Sequence, residues 1–147
     1  MSNYITVKKK IKAYNKTITV SGDKSLSIRW VLFSSLAKGI SKAKNLLMSE
    51  DVIASINAIR KLGINVSINK KFCKVYGRGF NGYKYKKNIT INAKNSGTLG
   101  RLILGLLIDT PYSIKLIGDK SLSKRDFKRV SDPLSKFGAK FKLRNNN

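Results

Sequence analysis

Two stretches of this chain follow the same order of apolar and polar segments, and that repetition constrains the fold more than any other feature. Arg29 aligns with Arg101, an offset of 72, and each sits in an apolar stretch of helical period. Leu62-Gly63-Ile64-Asn65-Val66 aligns with Phe137-Gly138-Ala139-Lys140-Phe141, an offset of 75. Each copy reads strand, polar turn, helix, strand, helix, strand, so the expected class is α/β built from small repeated units. The first copy adds a hairpin strand at Phe72 to Tyr76. Its counterpart would begin at Asn147, where the sequence stops, so the second unit is expected to be cut short there. The alternative is that the polar stretch Arg144 to Asn147 is a frayed tail.

The local pattern fills in the units. Ile5 to Val7 and Lys16 to Val20 are predicted strands, the second with Ile18 and Val20 alternating with Thr17 and Thr19. A helix follows from Ser25, with Leu26, Trp30, Leu32, Phe33 and Leu36 apolar and Gly39 beyond its end. Lys44 to Met48 is a short extended piece. Ser49 is the expected N-cap of a second helix, with Glu50 and Asp51 in the first turn, where negative charge is favoured. Val52, Ile56, Ile59 and Leu62 give that helix its buried face, and Gly63 ends it. Asn65 to Ile68 and Phe72 to Tyr76 pair as a hairpin across Asn69-Lys70-Lys71. In the second copy, Asn88 to Asn92 is a strand, Thr98 to Ile108 a helix and Tyr112 to Ile117 a strand. Arg125 to Phe137 has helical spacing around Pro133, which implies a kink or a late start. Ala139 to Leu143 begins a further strand.

Charge and composition narrow the chemistry. Lys and Arg number 31 against 7 Asp and Glu, a net charge of +24. Such a chain calls for an anionic partner or a strongly solvated surface. Lys, Asn and Ile are all plentiful, so AT-rich coding can supply much of the excess. The basic residues are spread along the chain, with no Gly-rich arginine arm and no aromatic signature of an RNA-binding sheet. A small anionic ligand is therefore preferred over nucleic acid, and a small basic polyanion-binding module stands as the alternative. The absence of histidine removes His bases, Ser–His and Cys–His pairs and His metal ligands. A single cysteine, Cys73, rules out an intramolecular disulfide and a Cys-cluster zinc site. It reads as a strand core residue, and Trp30 as a core residue. No metal or cofactor is expected. No segment has the apolar length of a membrane span or of a signal peptide core, so a reducing, cytoplasmic setting is expected.

Two polar breaks carry the candidate chemistry. Gly22-Asp23-Lys24-Ser25-Leu26-Ser27-Ile28-Arg29 lies where a strand gives way to a helix. Free N–H groups and the helix dipole favour an anion there. Lys24 adds a point charge, Ser25 and Ser27 add hydroxyl donors, and Arg29 lies four residues after Ser25 on the same helical face. The plainer reading is an N-cap followed by solvated charges. The Gly-x4-Gly-Lys-Ser/Thr spacing of a P-loop is absent. Lys94-Asn95-Ser96-Gly97-Thr98-Leu99-Gly100-Arg101 repeats the design, with Gly97 allowing close backbone approach. Gly118 to Arg125 nearly duplicates Gly22 to Arg29, but at an offset of 96, out of phase with the repeat. It is not read as a duplicated site, although Lys124 and Arg125 can reach the same pocket.

Taken together and in this order, these motifs resemble the 5-enolpyruvylshikimate-3-phosphate (EPSP) synthase family, the 3-phosphoshikimate 1-carboxyvinyltransferases. The matching pieces are Gly22 to Arg29, Asn45-Leu46-Leu47 with Glu50-Asp51-Val52, Asn95 to Thr98 with Arg101, Gly118 to Arg125, and Asp132-Pro133-Leu134. The resemblance implies part of the N-terminal lobe of a two-lobed fold made of repeated βαβαββ units. Residues 1–21 would be strands near the inter-lobe hinge, 22–87 the first unit and 88–147 the truncated second unit, with the second lobe absent. It implies transfer of the enolpyruvyl group of phosphoenolpyruvate to the 5-hydroxyl of shikimate 3-phosphate, releasing phosphate, on the route to aromatic amino acids. By motif, Lys24, Ser25 and Arg29 would bind shikimate 3-phosphate. Lys24, Asn95, Gly97, Arg101 and Arg125 would bind phosphoenolpyruvate. The acid–base residues would lie in family segments beyond this sequence, so the chain alone is expected to be inactive and its longer parent a monomeric enzyme. Leu99, where the family usually has a small residue, and Asp23, where some members have serine, depart from the pattern.

Overall fold

Asp23 starts the first helix by accepting the Leu26 N–H on Oδ1 at 2.6 Å, which satisfies one of the free donors at the helix end. In the computed structural model, which describes residues 4–10 and 12–144, this helix, α1, spans Lys24–Leu36. The order continues with β1 (Lys38–Ala43), α2 (Glu50–Lys61), β2 (Asn65–Ile68), β3 (Cys73–Arg78), β4 (Thr90–Asn92), α3 (Gly97–Leu106), β5 (Lys115–Ile117), a 3-10 turn (Leu122–Lys124) and α4 (Lys128–Lys136). The α/β class is the one the pattern predicts, and helix, strand, helix recurs in both halves.

The strands form two sheets. One is antiparallel in the order β1-β3-β2, with Ser41 opposite Val75 and Val66 also opposite Val75. Its β2–β3 turn is held by Asn69, whose Oδ1 accepts the N–H groups of Lys71 and Phe72, both at 2.9 Å. The other pairs β4 with β5 in parallel, Ile91 opposite Leu116, with α3 as the crossover between them. Helix α1 packs on α2, β3 and α3. The core is therefore continuous across both halves: Ile28 and Leu32 of α1, Ile56 and Ile59 of α2, Val75 of β3, Ile91 of β4, and Leu99 and Ile103 of α3 are all buried. Leu99, the departure from the family pattern, is fully buried in that core.

Several sequence expectations are corrected. The described residues of 4–22 contain no strand, and Ile5, Ile18 and Val20 are exposed. A strand needs a neighbour to take its hydrogen bonds, and no described strand lies beside this stretch. The same holds for Ala139 to Leu143, which carries no strand, while the chain's end at Asn147 lies outside the described residues. The extended piece after α1 is β1, at Lys38–Ala43, rather than Lys44 to Met48. Leu26 and Phe33 of α1 face solvent, and the buried face uses Ser27, Ile28, Val31, Leu32, Ser34 and Ser35. Small serines let the neighbouring elements approach, a signal that apolar periodicity does not carry. Ser49 occupies the N-cap of α2 but makes no capping hydrogen bond. Helix α4 starts late, at Lys128, and holds Pro133 inside it.

Cys73 is buried, as expected of a core residue, and desolvation pushes its thiol pKa up, with the charge of Arg60 acting the other way. Ile59 is fully buried where α2 meets the shared core. Ile59→Ala should cost about 2–5 kcal/mol, read as a lower urea midpoint at unchanged slope.

Candidate functional site

The loop before α3 is fixed from both sides. Ala93 donates its N–H to the Ile117 carbonyl at 2.8 Å, and Asp119 donates to the Lys94 carbonyl at 2.9 Å. These two bonds continue the β4–β5 ladder and seat the second Gly-Asp-Lys-Ser-Leu-Ser motif beside residues 93–97. Lys94 takes a positive φ of 52°, and its N–H is held by Asn92 Oδ1 at 2.8 Å. Ser96 is the N-cap of α3, its buried Oγ accepting the Leu99 N–H at 3.2 Å. Gly97 is thus delivered, buried, as the first residue of a ten-residue helix.

Two guanidinium groups converge on Gly97. A Cβ placed there would lie 2.5 Å from Arg125 Nη1 and 3.2 Å from Arg101 Nη1. Arg125 also donates from Nη2 to Asn95 Oδ1 at 2.8 Å. Arg101 donates from Nη2 to the Asp126 carbonyl at 3.3 Å, and its Cζ lies 5.7 Å from the Phe127 ring centroid. Neither arginine is in an ion pair; the ion pair among the described residues is Lys24 to Asp51, at 3.2 Å. Asn95, Gly97, Arg101 and Arg125, read from two separate motifs, therefore form one cluster. Its charges and the positive end of the α3 dipole all favour an anion. Arg–anion contacts of this kind are commonly bidentate.

The first motif is arranged differently. Lys24 and Ser25 open α1, and Arg29 lies one turn further, exposed. Ser27, buried, accepts the Leu47 N–H on Oγ at 3.1 Å and donates to the Asp23 carbonyl at 2.6 Å. Its hydroxyl ties α1 to residues 45–47 and is used within the fold, which corrects its reading as an anion donor, whereas Ser25 is part-exposed. Among the described residues no hydrogen bond or ion pair joins Lys24, Ser25 or Arg29 to the Gly97 cluster. Lys124 is exposed at the end of the 3-10 turn, and among the described residues no hydrogen bond or ion pair joins it to the Gly97 cluster.

Three participants escaped the sequence reading: Asp51 as the partner of Lys24, the Asp126 carbonyl and the Phe127 ring. Asp51 is visible in sequence only as a helix-start acid. The contacts of Arg101 to 126 and 127 cross a whole strand and leave no local signal. A cavity of about 590 Å³ lies elsewhere, between α2 and the end of β4, lined by Ile53, Asn57, Lys61, Asn92 and Lys94 among others, and it takes in none of the seven candidate residues. No set of three or more metal-ligating side chains occurs among the described residues, and no helix there is long and apolar enough to cross a membrane.

An α/β repeat that brings two arginines to the first residue of a helix defines a candidate anion site. Comparison with known proteins makes the assignment specific. The family model described as EPSP synthase (3-phosphoshikimate 1-carboxyvinyltransferase) matches residues 8–147, and the chain belongs to that family. It is 41% identical over 128 residues to a 3-phosphoshikimate 1-carboxyvinyltransferase of Bacillus cytotoxicus, covering 87% of this chain and 30% of that protein. It is 45% identical over 122 residues to the one of Streptococcus pyogenes serotype M1, covering 83% and 28%. The solved EPSP synthase from Acinetobacter baumannii superimposes with a TM-score of 0.78 at 35% identity, over 84% of this chain and 28% of that one. The chain thus spans less than a third of the relatives it matches.

Gly97→Ala should force the Arg125 guanidinium away, because the added carbon falls 2.5 Å from Nη1. The expected result is a changed Asn95 side-chain amide signal by NMR, with the signals of β1, β2 and β3 unmoved.

Proposed function

We propose that the protein to which this span belongs transfers the enolpyruvyl group of phosphoenolpyruvate to the 5-hydroxyl of shikimate 3-phosphate, and that this span supplies the anion-binding half of the site. The observation that carries the reading is the convergence of Arg101 and Arg125 on Gly97. In it, Asn95, Gly97, Arg101 and Arg125 hold phosphoenolpyruvate. The Gly97 N–H and the two guanidiniums face its negative groups, and the Asn95 carboxamide keeps Arg125 in place. Lys24, Ser25 and Arg29 hold shikimate 3-phosphate, with Lys24 also close to phosphoenolpyruvate. The ammonium of Lys24 is half exposed, so it can exchange Asp51 for a phosphate oxygen at little cost.

These residues bind and orient two polyanions that would otherwise repel each other. Positioning of this kind, with charge compensation, lowers the barrier to bringing the 5-hydroxyl to the enolpyruvyl carbon. Proton transfer is assigned to residues of the longer protein outside this span. The same reading makes that protein a monomeric, cytoplasmic enzyme of aromatic amino acid biosynthesis. This last part rests on the family alone.

The test is a titration of the chain with phosphoenolpyruvate and, separately, with a single-stranded oligonucleotide at several salt concentrations. Saturable binding of phosphoenolpyruvate that moves the Gly97 amide is expected. Arg125→Ala should weaken it by roughly tenfold to a hundredfold, the loss of about 1.5–3 kcal/mol carried by a charged hydrogen bond. Tighter binding of the oligonucleotide with a steep salt slope, and no response at Gly97, would favour the polyanion-binding module instead. Phosphate release from both substrates by residues 1–147 alone would overturn the assignment of proton transfer to the remainder.

A further inference from the structure

Three consecutive residues place both arginines of the Gly97 cluster. Arg125 supplies one guanidinium itself. The next residue, Asp126, gives its carbonyl to Arg101. The third, Phe127, lies with its ring centroid 5.7 Å from the Arg101 Cζ. That ring is itself held. The Phe127 carbonyl accepts the N–H groups of Val130 and Ser131, at 3.0 and 2.9 Å, as α4 begins. On the α3 side the ring abuts residue 100, where a Cβ would come within 3.2 Å of both Cε1 and Cζ. Glycine at 100 is what leaves room for an aromatic ring at 127.

Arg101 has few other restraints. Its one hydrogen bond among the described residues is the 3.3 Å contact to Asp126, near the outer limit of a useful bond. Its Nε is buried and meets no acceptor there. A long side chain so loosely bonded would sample several rotamers, unless packing selects one. The Phe127 ring face can do so, since the Arg101 Cζ lies 5.7 Å from its centroid, within the range at which the ring quadrupole attracts a cation.

We infer that Phe127 is a positioning residue that sets Arg101 toward Gly97, with Gly100 as the space that admits its ring. It touches no substrate and acts through Arg101. The inference rests on the reading that Arg101 holds phosphoenolpyruvate, but its geometric part is measurable without that ligand.

The experiment uses the 147-residue chain and two readouts. In the free chain, the Arg101 Nε–Hε proton should show an upfield ring-current shift by NMR. That shift should vanish in Phe127→Leu, which keeps apolar bulk without a ring, and persist in Phe127→Tyr. It should move in Gly100→Ala, which retains both side chains and presses on the ring. With phosphoenolpyruvate added, Phe127→Leu should bind about two- to fivefold more weakly, and Phe127→Tyr should restore the wild-type affinity. An unchanged Hε shift in both Phe127→Leu and Gly100→Ala overturns the inference. So does equal weakening in the Leu and Tyr variants, which would assign the effect to packing alone. If the wild type shows the ring-current shift yet ignores phosphoenolpyruvate, the positioning contact stands and the proposed ligand fails.

Discussion

Two positive charges held beside one helix start are the constraint on which the rest of this structure turns. The terminal nitrogens of Arg101 and Arg125 lie within about 6 Å of each other around Gly97. At an effective dielectric constant of about 20 such a pair repels by roughly 3 kcal/mol, less where water and salt screen it. The α3 dipole adds charge of the same sign. The fold holds this arrangement with neutral acceptors, the Asn95 carboxamide and the Asp126 carbonyl, rather than with carboxylates. Carboxylate partners would have cancelled the charge. Neutral ones orient the guanidiniums and leave their charge uncompensated.

The same six residues, Gly-Asp-Lys-Ser-Leu-Ser, serve two ends in this chain. In both places the aspartate caps the N–H three residues on, Asp23 to Leu26 at 2.6 Å and Asp119 to Leu122 at 2.7 Å. After that they diverge. At 28 an isoleucine enters the core, Val31 and Leu32 follow on the same face, and a thirteen-residue helix forms. At 124 the equivalent residue is an exposed lysine, and only one 3-10 turn forms before Arg125 becomes extended, with φ −82° and ψ 142°. That extension is what carries Arg125 across to Asn95. Local capping is encoded in the hexapeptide, and the length of the helix is decided by the packing of what comes next.

How much could be read from the sequence follows the same division. The helices, the β2–β3 hairpin and the α/β class were legible, because apolar periodicity, caps and turn residues are local. The clustering of Asn95, Gly97, Arg101 and Arg125 was legible through the family resemblance that the motifs carry, not through any spacing rule. Phe127 was not legible as a partner of Arg101, since its role depends on an approach across β5 and on the lack of a side chain at Gly100. The strand expected at Lys16 to Val20 failed for a related reason. Its alternation is a strand pattern, but pairing is a property of a neighbour, and no described strand lies beside it. Ser27, whose hydroxyl suggests an anion donor, and Ser35 are not legible as core-facing residues because they are polar. Each is buried, with its hydroxyl donating to a backbone carbonyl, that of Asp23 and that of Leu32.

The central claim is that the two arginines and the α3 N-terminus form one anion site. The most direct measurement is a crystal structure of the chain grown with phosphoenolpyruvate. The account predicts the ligand's negative groups at the Gly97 N–H, between the Arg101 and Arg125 guanidiniums, with the Arg125–Asn95 bond intact. Ligand seated instead on the exposed lysines of the β1-β3-β2 sheet, with the Gly97 cluster unaltered, would contradict it.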